Sequence, residues 1–210
     1  MLTFMCATFN EQEELPDLLE AVYPYVDAYA ICDDESTDNT LVILGIWHEY
    51  SNKPFNFKII PHTGLPETVK NEALSLVDTD WVLMLDCDER IEEDGLKRIK
   101  EWLDSEESKN IDYVYFRQLE AIDNQIVREF QKCKLFRKEA IRFPLANIHA
   151  DDQFVGNGTY YGWGVLHRKS SDKQKLREQE YLVTYKKLLD DGKIDVGRYT
   201  WLRNLHHFIK

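Results

Sequence analysis

The chain has 210 residues, of which 43% are hydrophobic and 12% aromatic, so it carries enough apolar side chain to bury a sizeable core. Its net charge of −12 disfavours nonspecific binding to DNA or RNA, which are polyanions. No apolar run approaches the roughly 18 residues that span a bilayer, and no basic segment precedes the first apolar run. The sequence therefore predicts a cytosolic (cytoplasmic) protein without a signal peptide or anchor, folded as a single domain over residues 1–210.

Four strand-like apolar runs alternate with helix-like segments in the first 105 residues. The runs cover residues 2–8, 28–32, 55–60 and 81–85. The segments between and after them carry apolar stripes at helical spacing, which include Leu15, Leu18, Leu19 and Val22, then Val69, Ala73 and Val77, then Leu96, Ile99 and Trp102. Because crossovers of this length join parallel neighbours, the pattern predicts an α/β fold with a mostly parallel open sheet and helices on both faces.

The pattern changes after residue 105. A turn over residues 122–126 predicts a hairpin, and residues 134–137 and 141–143 look like further strands, so we expect a small antiparallel extension over 106–170. A helical pattern returns from Ser171 and ends at Gly192, which predicts a helical tail over 171–210. Residues 166–210 carry 11 basic and 6 acidic side chains. This basic tail is either a solvated helix or a surface for phosphates or peripheral contact with an anionic membrane.

Polar residues follow the first, second and fourth predicted strands at 9–11, 33–38 and 86–89. In a parallel sheet these strand ends lie side by side, where ligands gather. Residues two apart in an extended segment point the same way, roughly 6.5–7 Å apart, so Asp86 and Asp88 can address one ligand. An ordinary surface turn is the alternative for this D-x-D triplet. Three converging strand ends favour a site for a metal and a phosphate.

Two common nucleotide motifs and a cysteine pair are missing from the sequence. It holds neither G-x-x-x-x-G-K-[S/T] nor G-x-G-x-x-G, which argues against a P-loop NTPase and a dinucleotide dehydrogenase. The four cysteines are scattered without a C-x-x-C pair, so we expect free buried thiols.

Four motifs in order resemble those of family 2 glycosyltransferases with the GT-A fold. They read ATFNE at 7–11, DDESTDNT at 33–40, NEAL at 71–74 and LDCDER at 85–90. The similarity is looser beyond residue 132, where LFR at 135–137 and LHR at 166–168 resemble small bacterial members that extend lipopolysaccharide cores. The resemblance implies an inverting transferase that takes a sugar from a nucleotide-diphosphate sugar, often UDP-linked, and passes it to an acceptor hydroxyl.

The resemblance also implies how the donor is held. The base would lie near Ala7, Phe9 and Asp34, with Asp34 accepting from the uracil N–H. Asn10 and Lys70 would also contact the donor. These residues make 1–105 the nucleotide-binding half and leave 106–170 as the acceptor and metal half.

A divalent cation, Mn²⁺ or Mg²⁺, is implied at the diphosphate, since hard oxygen ligands suit these ions. Asp88 would ligate it, and Asp86 would face the ribose or a metal-bound water. His167 is carried over as a further metal ligand, with a structural role as the alternative. Arg168, Lys169 or Lys173 would close over the phosphates, while Gly162 and Gly164 indicate either a moving segment or a strand with a bulge.

Inversion at the anomeric carbon implies one carboxylate on the acceptor side as general base. Asp151 is the preferred candidate and Asp152 the second, because the chain reads HADD at 149–152 where similar members carry His-Glu or an acidic pair. An acidic loop without a catalytic role is the alternative. Four aromatic side chains suit either sugar stacking or core packing, namely Phe154, Tyr160, Tyr161 and Trp163.

Three other classes of protein fit parts of the pattern. A noncatalytic carbohydrate-binding or scaffold protein would keep the fold without turnover, and Ala150 beside the predicted base is compatible with that. A nucleotidyltransferase would share the sheet and the carboxylates, but the sequence lacks a glycine-rich basic opening loop. A glycoside hydrolase needs no nucleotide-like site at three strand ends. The acceptor stays open among a glycan, a lipid-linked sugar, a protein and a modified base.

Overall fold

The computed structural model describes residues 1–144 and 152–172, together with residues 175, 176, 179, 183 and 187. Its first part alternates strands and helices as predicted, apart from the short β5, which the sequence did not predict: β1 (Leu2–Thr8), α1 (Leu15–Val22), β2 (Ala28–Asp33), α2 (Thr40–Tyr50), β3 (Phe55–Ile59), α3 (Pro66–Ser75), β4 (Trp81–Met84), β5 (Glu89–Ile91) and α4 (Glu93–Leu103). The N-cap of α2 is Asn39, which makes no side-chain capping bond, while the Thr40 N–H donates to Asp38 Oδ1, one residue earlier, at 2.9 Å.

The second part is largely antiparallel. After a 3₁₀ turn (Glu107–Asn110) come β6 (Tyr113–Ile122), β7 (Gln125–Arg137), a second 3₁₀ turn (Lys138–Ala140), β8 (Ile141–Arg142), β9 (Gln153–Phe154) and β10 (Gly158–Lys169). The predicted hairpin joins β6 to β7, and its two turn residues, Asp123 and Asn124, have φ of 47° and 65°. The strand predicted at 134–137 is the end of the 13-residue β7.

The strands of the main sheet run in the order β3-β2-β1-β4-β7-β6-β10-β5. The first four are mutually parallel, β7 is antiparallel to β4 and β6, and β10 is parallel to β6 and antiparallel to β5. The chain winds outward from β1 through β2 to β3 and then returns to the other side of β1 for β4. In open α/β sheets, ligands bind beyond the carboxyl ends of the strands at such a reversal.

Two buried clusters cover the two faces of the sheet. Leu2, Phe4 and Cys6 of β1 belong to a cluster that packs under α1, α2 and α4. Met5, which points the other way, belongs to a cluster that includes α3. The predicted α1 stripe is fully buried at Leu15, Leu18, Leu19 and Val22, and burying each leucine contributes about 1.5–3 kcal/mol. The prediction of helices on both faces is confirmed.

The four cysteines are free and buried, as predicted. No helix among the described residues is long and apolar enough to cross a membrane. The predicted tail beyond residue 172, including the Gly192 stop, lies almost entirely outside the described residues.

Candidate functional site

The loop after β1 is tied to the loop after β2 through Asn10. Its backbone N–H donates to Ser36 Oγ at 2.8 Å, and its side-chain Oδ1 accepts from the Thr37 N–H at 2.8 Å and the Asp38 N–H at 3.3 Å. Asn10 lies in the left-handed region, at φ 54°, which asparagine tolerates better than most residues. These bonds hold together the loops that follow β1 and β2, and they already use the amide oxygen of a predicted donor-binding residue.

The fully buried Asp33 at the end of β2 also ties these two loops together. Its carboxylate accepts from Thr8 Oγ1, from the Ser36 N–H and from Ser36 Oγ, each at 2.7 Å. Three donors satisfy a buried charge that would otherwise be costly. Asp33 therefore has a structural role, whereas the neighbouring Asp34 contacts the loop after β3.

Asp34 organises the loop after β3. Its Oδ1 accepts from the Thr63 N–H at 2.8 Å, and its Oδ2 accepts from the Gly64 N–H at 3.2 Å and lies 2.9 Å from His62 Nδ1. The His62 ring stacks on Phe9, with centroids 4.5 Å apart and planes 23° apart. A nucleobase N–H that donates to Asp34 would either share the carboxylate oxygens with His62 or displace the His62 ring. The His62 side chain is 47% exposed, so solvent is open to it on displacement.

His62 had no signal in the sequence, because its place beside Phe9 follows from the pairing of β2 with β3. Ala7, the other residue predicted at the base, is half-buried near the end of β1 and pairs with Cys32 of β2. The residues predicted around the base thus lie at adjacent strand ends.

The acidic segment beyond β4 forms a closed turn. The Asp86 N–H donates to Glu89 Oε2 at 2.9 Å, and the Glu89 N–H donates back to the Asp86 carbonyl at 2.9 Å. Cys87, buried inside this turn, has its Sγ 3.5 Å from Cys6 Sγ on β1. The turn is anchored by its own fourth residue, because the Glu89 carboxylate is fully buried and pairs with the equally buried Lys134 ammonium of β7.

The two residues predicted to ligate a metal meet in the structure. His167 Nε2 lies 3.1 Å from Asp88 Oδ1, and the Arg168 N–H donates to the Asp88 carbonyl at 2.9 Å. The antiparallel pairing of β5 with β10, in which Glu89 faces His167, brings these distant segments together. Across the described ranges, no three His, Cys, Asp or Glu side chains cluster as a metal site. A cation here would complete its shell with water and phosphate oxygens, as Mg²⁺ commonly does.

The charges of three lysines act on Asp86. Burial would raise the pKa of its carboxyl group, but the charges of Lys132, Lys134 and Lys70 lower it well below its usual value. Lys132 Nζ lies 3.9 Å from Asp86 Oδ2. Burial would lower the pKa of Lys132, yet Asp86 and, to a smaller extent, Asp152 raise it. Of the predicted site residues, Lys70 therefore acts electrostatically on Asp86, and Asp152 acts on Lys132, the lysine that lies near Asp86.

Lys132 and Lys134 were missed in the sequence. They stand two apart on one strand, which is the only local signal they give, and the register of β7 with β6 shifts between Cys133 and Leu135, so this spacing alone does not set which way Lys134 points. The spacing does not connect these lysines with the acidic turn until the pairing of β7 with β4 is known.

The remaining predicted residues fall in three groups. Asp151 and Lys173 lie outside the described residues. Lys169 pairs with Glu120, Nζ to Oε1 at 2.9 Å, on the neighbouring strand β6. Gly162 and Gly164 belong to β10, whose register with β6 shifts between residues 160 and 164, so the interpretation as a strand with a bulge is the one that the structure shows.

Three of the four candidate sugar-stacking aromatics are half-buried and pack against other aromatic side chains. Tyr161 and Trp163 stack on each other with centroids 4.5 Å apart, and both contact Trp102 of α4. Phe154 packs against Tyr113, centroid to centroid 4.9 Å. Tyr160 is different, because it is 45% exposed.

A mostly parallel sheet that reverses beside an acidic turn defines the class of protein: this is the GT-A fold of nucleotide-diphosphate-sugar transferases. The model of the family described as "Glycosyl transferase family 2" matches residues 3–161. The chain belongs to this family, which confirms the resemblance found in the four motifs.

A curated relative agrees with this assignment, and two solved structures share the fold. The poly(ribitol-phosphate) beta-glucosyltransferase of Bacillus spizizenii is 25% identical over 188 residues, which cover 76% of this chain and 29% of that protein. The crystal structure of S. aureus TarS 1–349 in complex with UDP has a TM-score of 0.61 at 16% identity, covering 87% of this chain and 64% of that one. The mannosyltransferase PcManGT from Pyrobaculum calidifontis, in complex with GDP-Man and Mn²⁺, gives 0.61 at 16%, covering 92% and 65%.

The chain therefore spans less than a third of the curated relative and about two thirds of the matched structures. At these identities the structures show the shared fold. The similarity to lipopolysaccharide-core transferases is not described by any of these names, and it stays a prediction.

Proposed function

We propose that this chain is an inverting glycosyltransferase that transfers a sugar from a nucleotide-diphosphate sugar, UDP-linked, to an acceptor hydroxyl with a divalent cation. The observation that carries the proposal is the meeting of Asp88 with His167, at 3.1 Å, beside Asp86 and beyond the sheet reversal. The names of similar proteins support it, since TarS was crystallised with UDP and with UDP-GlcNAc, and PcManGT with GDP-Man and Mn²⁺.

In this proposal, residues 1–105 hold the nucleotide and residues 106–170 add acceptor and metal contacts. The base lies near Ala7, Phe9 and Asp34, where the exposed His62 ring either makes room or remains as a stacking partner. Asn10, Lys70 and Asp86 contact the rest of the donor.

The donor set fits a divalent cation. Asp88 offers a carboxylate oxygen and His167 an imidazole nitrogen, a combination that suits Mn²⁺ and, with more oxygens from phosphate and water, Mg²⁺. These two residues would hold the ion, and the ion would offset the negative charge of the leaving diphosphate.

The chain's own cations contribute to the same task. Lys132 and Lys70 place positive charge beside Asp86, where it offsets charge that grows on the leaving phosphate. Lys132 is half-buried and so is held in place more firmly than an exposed lysine.

A carboxylate near the acceptor takes the proton from the attacking hydroxyl, and Asp151 or Asp152 is our candidate. Asp152 acts on the charge of Lys132, which supports its nearness to the acidic turn. Asp151→Asn and Asp152→Asn should be assayed separately. We expect one of them to lose activity by about 10²-fold or more, and two active variants would refute the assignment of the base.

The net charge of the chain is the basis for our proposal on the class of acceptor. The curated relative is named for poly(ribitol-phosphate), which is a polyanion, whereas this chain has a net charge of −12. Like charges repel, so we propose a saccharide hydroxyl on a less charged acceptor.

The test is a panel of UDP-, GDP-, CMP- and dTDP-sugars, with and without Mn²⁺, in which release of the nucleotide (UDP, GDP, CMP or dTDP) is measured. We expect turnover with one nucleotide class, and a loss of about 10²-fold or more in Asp88→Asn. Asp94→Asn is the matched control, because its side chain is 76% exposed on α4, and it should behave as wild type. Binding without turnover by any donor would favour the noncatalytic alternative, and the absence of both would refute the proposal.

A further inference from the structure

The ring of His62 makes both kinds of contact that the proposed function assigns to the base of the donor. It stacks on Phe9, with centroids 4.5 Å apart and planes 23° apart. Its Nδ1 lies 3.3 Å from the carbonyl oxygen of Asp34 and 2.9 Å from the carboxylate oxygen Oδ2 of the same residue. The imidazole therefore lies where a nucleobase would stack on Phe9 and donate to Asp34.

The carboxylate of Asp34 has one acceptor position left for a base. An ionised carboxylate offers about four such positions. Thr63 fills two at Oδ1, with its N–H at 2.8 Å and its Oγ1 at 3.0 Å, and the Gly64 N–H fills one at Oδ2, at 3.2 Å. A base N–H would need the last position, and its nitrogen would approach Oδ2 to roughly 2.9 Å. His62 Nδ1 already stands at 2.9 Å from Oδ2, so the ring and the base compete for this oxygen.

The His62 ring can leave without disturbing the loop that carries it. The backbone N–H of His62 donates to Glu35 Oε2 at 3.0 Å. The N–H groups of Thr63 and Gly64 bind the Asp34 carboxylate. None of these three bonds uses the imidazole. Because the side chain is 47% exposed, a change of its rotamer carries the ring into solvent while the backbone stays in place.

We propose that His62 competes with the nucleobase of the donor for Phe9 and Asp34 and thereby sets the affinity of the donor site. The inference rests on the proposed function. Only molecules whose His62 ring has turned away bind the base, so the apparent dissociation constant is the intrinsic one divided by the fraction of such molecules. A stacked aromatic pair keeps the ring in place in roughly 70–90% of the molecules.

The first test measures UDP binding by calorimetry in the presence of Mg²⁺. His62→Ala removes the competing ring, and we expect it to bind UDP about 3- to 10-fold more tightly than the wild type. His62→Phe keeps a ring on Phe9, so we expect it to bind UDP no more tightly than the wild type. A histidine that stacked on the bound base would give the opposite order, with weaker binding in His62→Ala than in His62→Phe.

His48→Ala is the matched control for the loss of a histidine ring. His48 is exposed on α2 and also contacts an aromatic ring, that of Phe57, with centroids 5.5 Å apart. It makes no contact with Phe9 or Asp34 among those that the described residues show, so its removal should leave the UDP affinity unchanged.

The second test follows the His62 ring by proton NMR, with its signals identified by their loss in His62→Ala. While the ring lies on Phe9, its protons should resonate upfield of those of an exposed histidine, and saturating UDP with Mg²⁺ should remove this shift. Equal or weaker UDP binding in His62→Ala, or ring protons that stay upfield with UDP bound, would overturn the inference and leave the donor site standing. If neither the wild type nor His62→Ala binds UDP, the proposed nucleotide is wrong and the inference falls with it.

Discussion

The buried ion pair between Lys134 and Glu89 should be the most sensitive point of the acidic turn. Both side chains are completely buried, and burial lowers the pKa of the Lys134 ammonium although Glu89 opposes the shift. Removing one partner of a buried pair leaves an uncompensated charge and costs about 3–5 kcal/mol. In Lys134→Met, Glu89 retains the N–H donors of Gln118 and Asp86, so we expect the lower end, about 3 kcal/mol.

A double-mutant cycle separates the pair from the packing of each side chain. Glu89→Gln added to Lys134→Met removes the stranded charge, so the double variant should be more stable than Lys134→Met alone, with a coupling energy of about 1.5 kcal/mol or more. The free energies of unfolding come from urea titrations followed by circular dichroism, with equal m-values as a condition.

Lys58→Met is the matched control for this cycle. It removes the same charge from an ion pair with Glu72 in which both side chains are well exposed, and it should leave the urea midpoint nearly unchanged. A loss below about 1 kcal/mol in Lys134→Met, or strictly additive effects in the cycle, would refute the idea that this pair anchors the turn.

Three further predictions concern the rest of the fold. Gly158→Ala would place Cβ 2.1 Å from the Tyr113 ring and should lower stability by roughly 1–3 kcal/mol in thermal melts, whereas Gly162→Ala meets no atom within 4 Å and should be tolerated. Burial raises the pKa of Cys32 to about 12, and all four thiols are buried, so native protein at about pH 8 should not react with Ellman's reagent, while urea should release four thiols. Burial would raise the pKa of Glu120, but the ion pair with Lys169 on β10 lowers it below its usual value. The contribution of Glu120 to stability is therefore present above the unfolded pKa of about 4.3 and is lost as the pH falls further. Glu120→Gln should flatten the decline in urea midpoint between about pH 4.5 and 3, and an unchanged slope would contradict this.

The first half of the fold was predictable because its signals are local. Each apolar run of a doubly covered strand stands out from the helical stripes that follow it, and the polar strand ends mark one edge of the sheet. The second half was predicted less well. The first five residues of β7 are all exposed, so no alternation marks residues 125–129 as part of a strand, and only the end of β7 was recognised.

The site divides along the same line. Asp86 and Asp88 could be found from their place after a buried strand, and His167 came only from the resemblance to the family. Gln118, Lys134 and His62 could not be found, because each acquires its meaning from strand pairings between residues that are far apart in sequence. β10 lies between β6 and β5, and this order puts Gln118 next to both Glu89 and His167.

The most direct test of the central claim is a thermal-shift measurement with nucleotide sugars and Mn²⁺ on the wild type and on Asp88→Asn. A ligand at about 100 times its dissociation constant adds about 2.7 kcal/mol to native stability, which corresponds to a rise of about 5–10 °C in Tm for a chain of this size. We predict such a rise for a UDP-sugar with Mn²⁺ in the wild type and a much smaller one in Asp88→Asn. Equal shifts in both proteins, or none with any nucleotide sugar, would contradict the account.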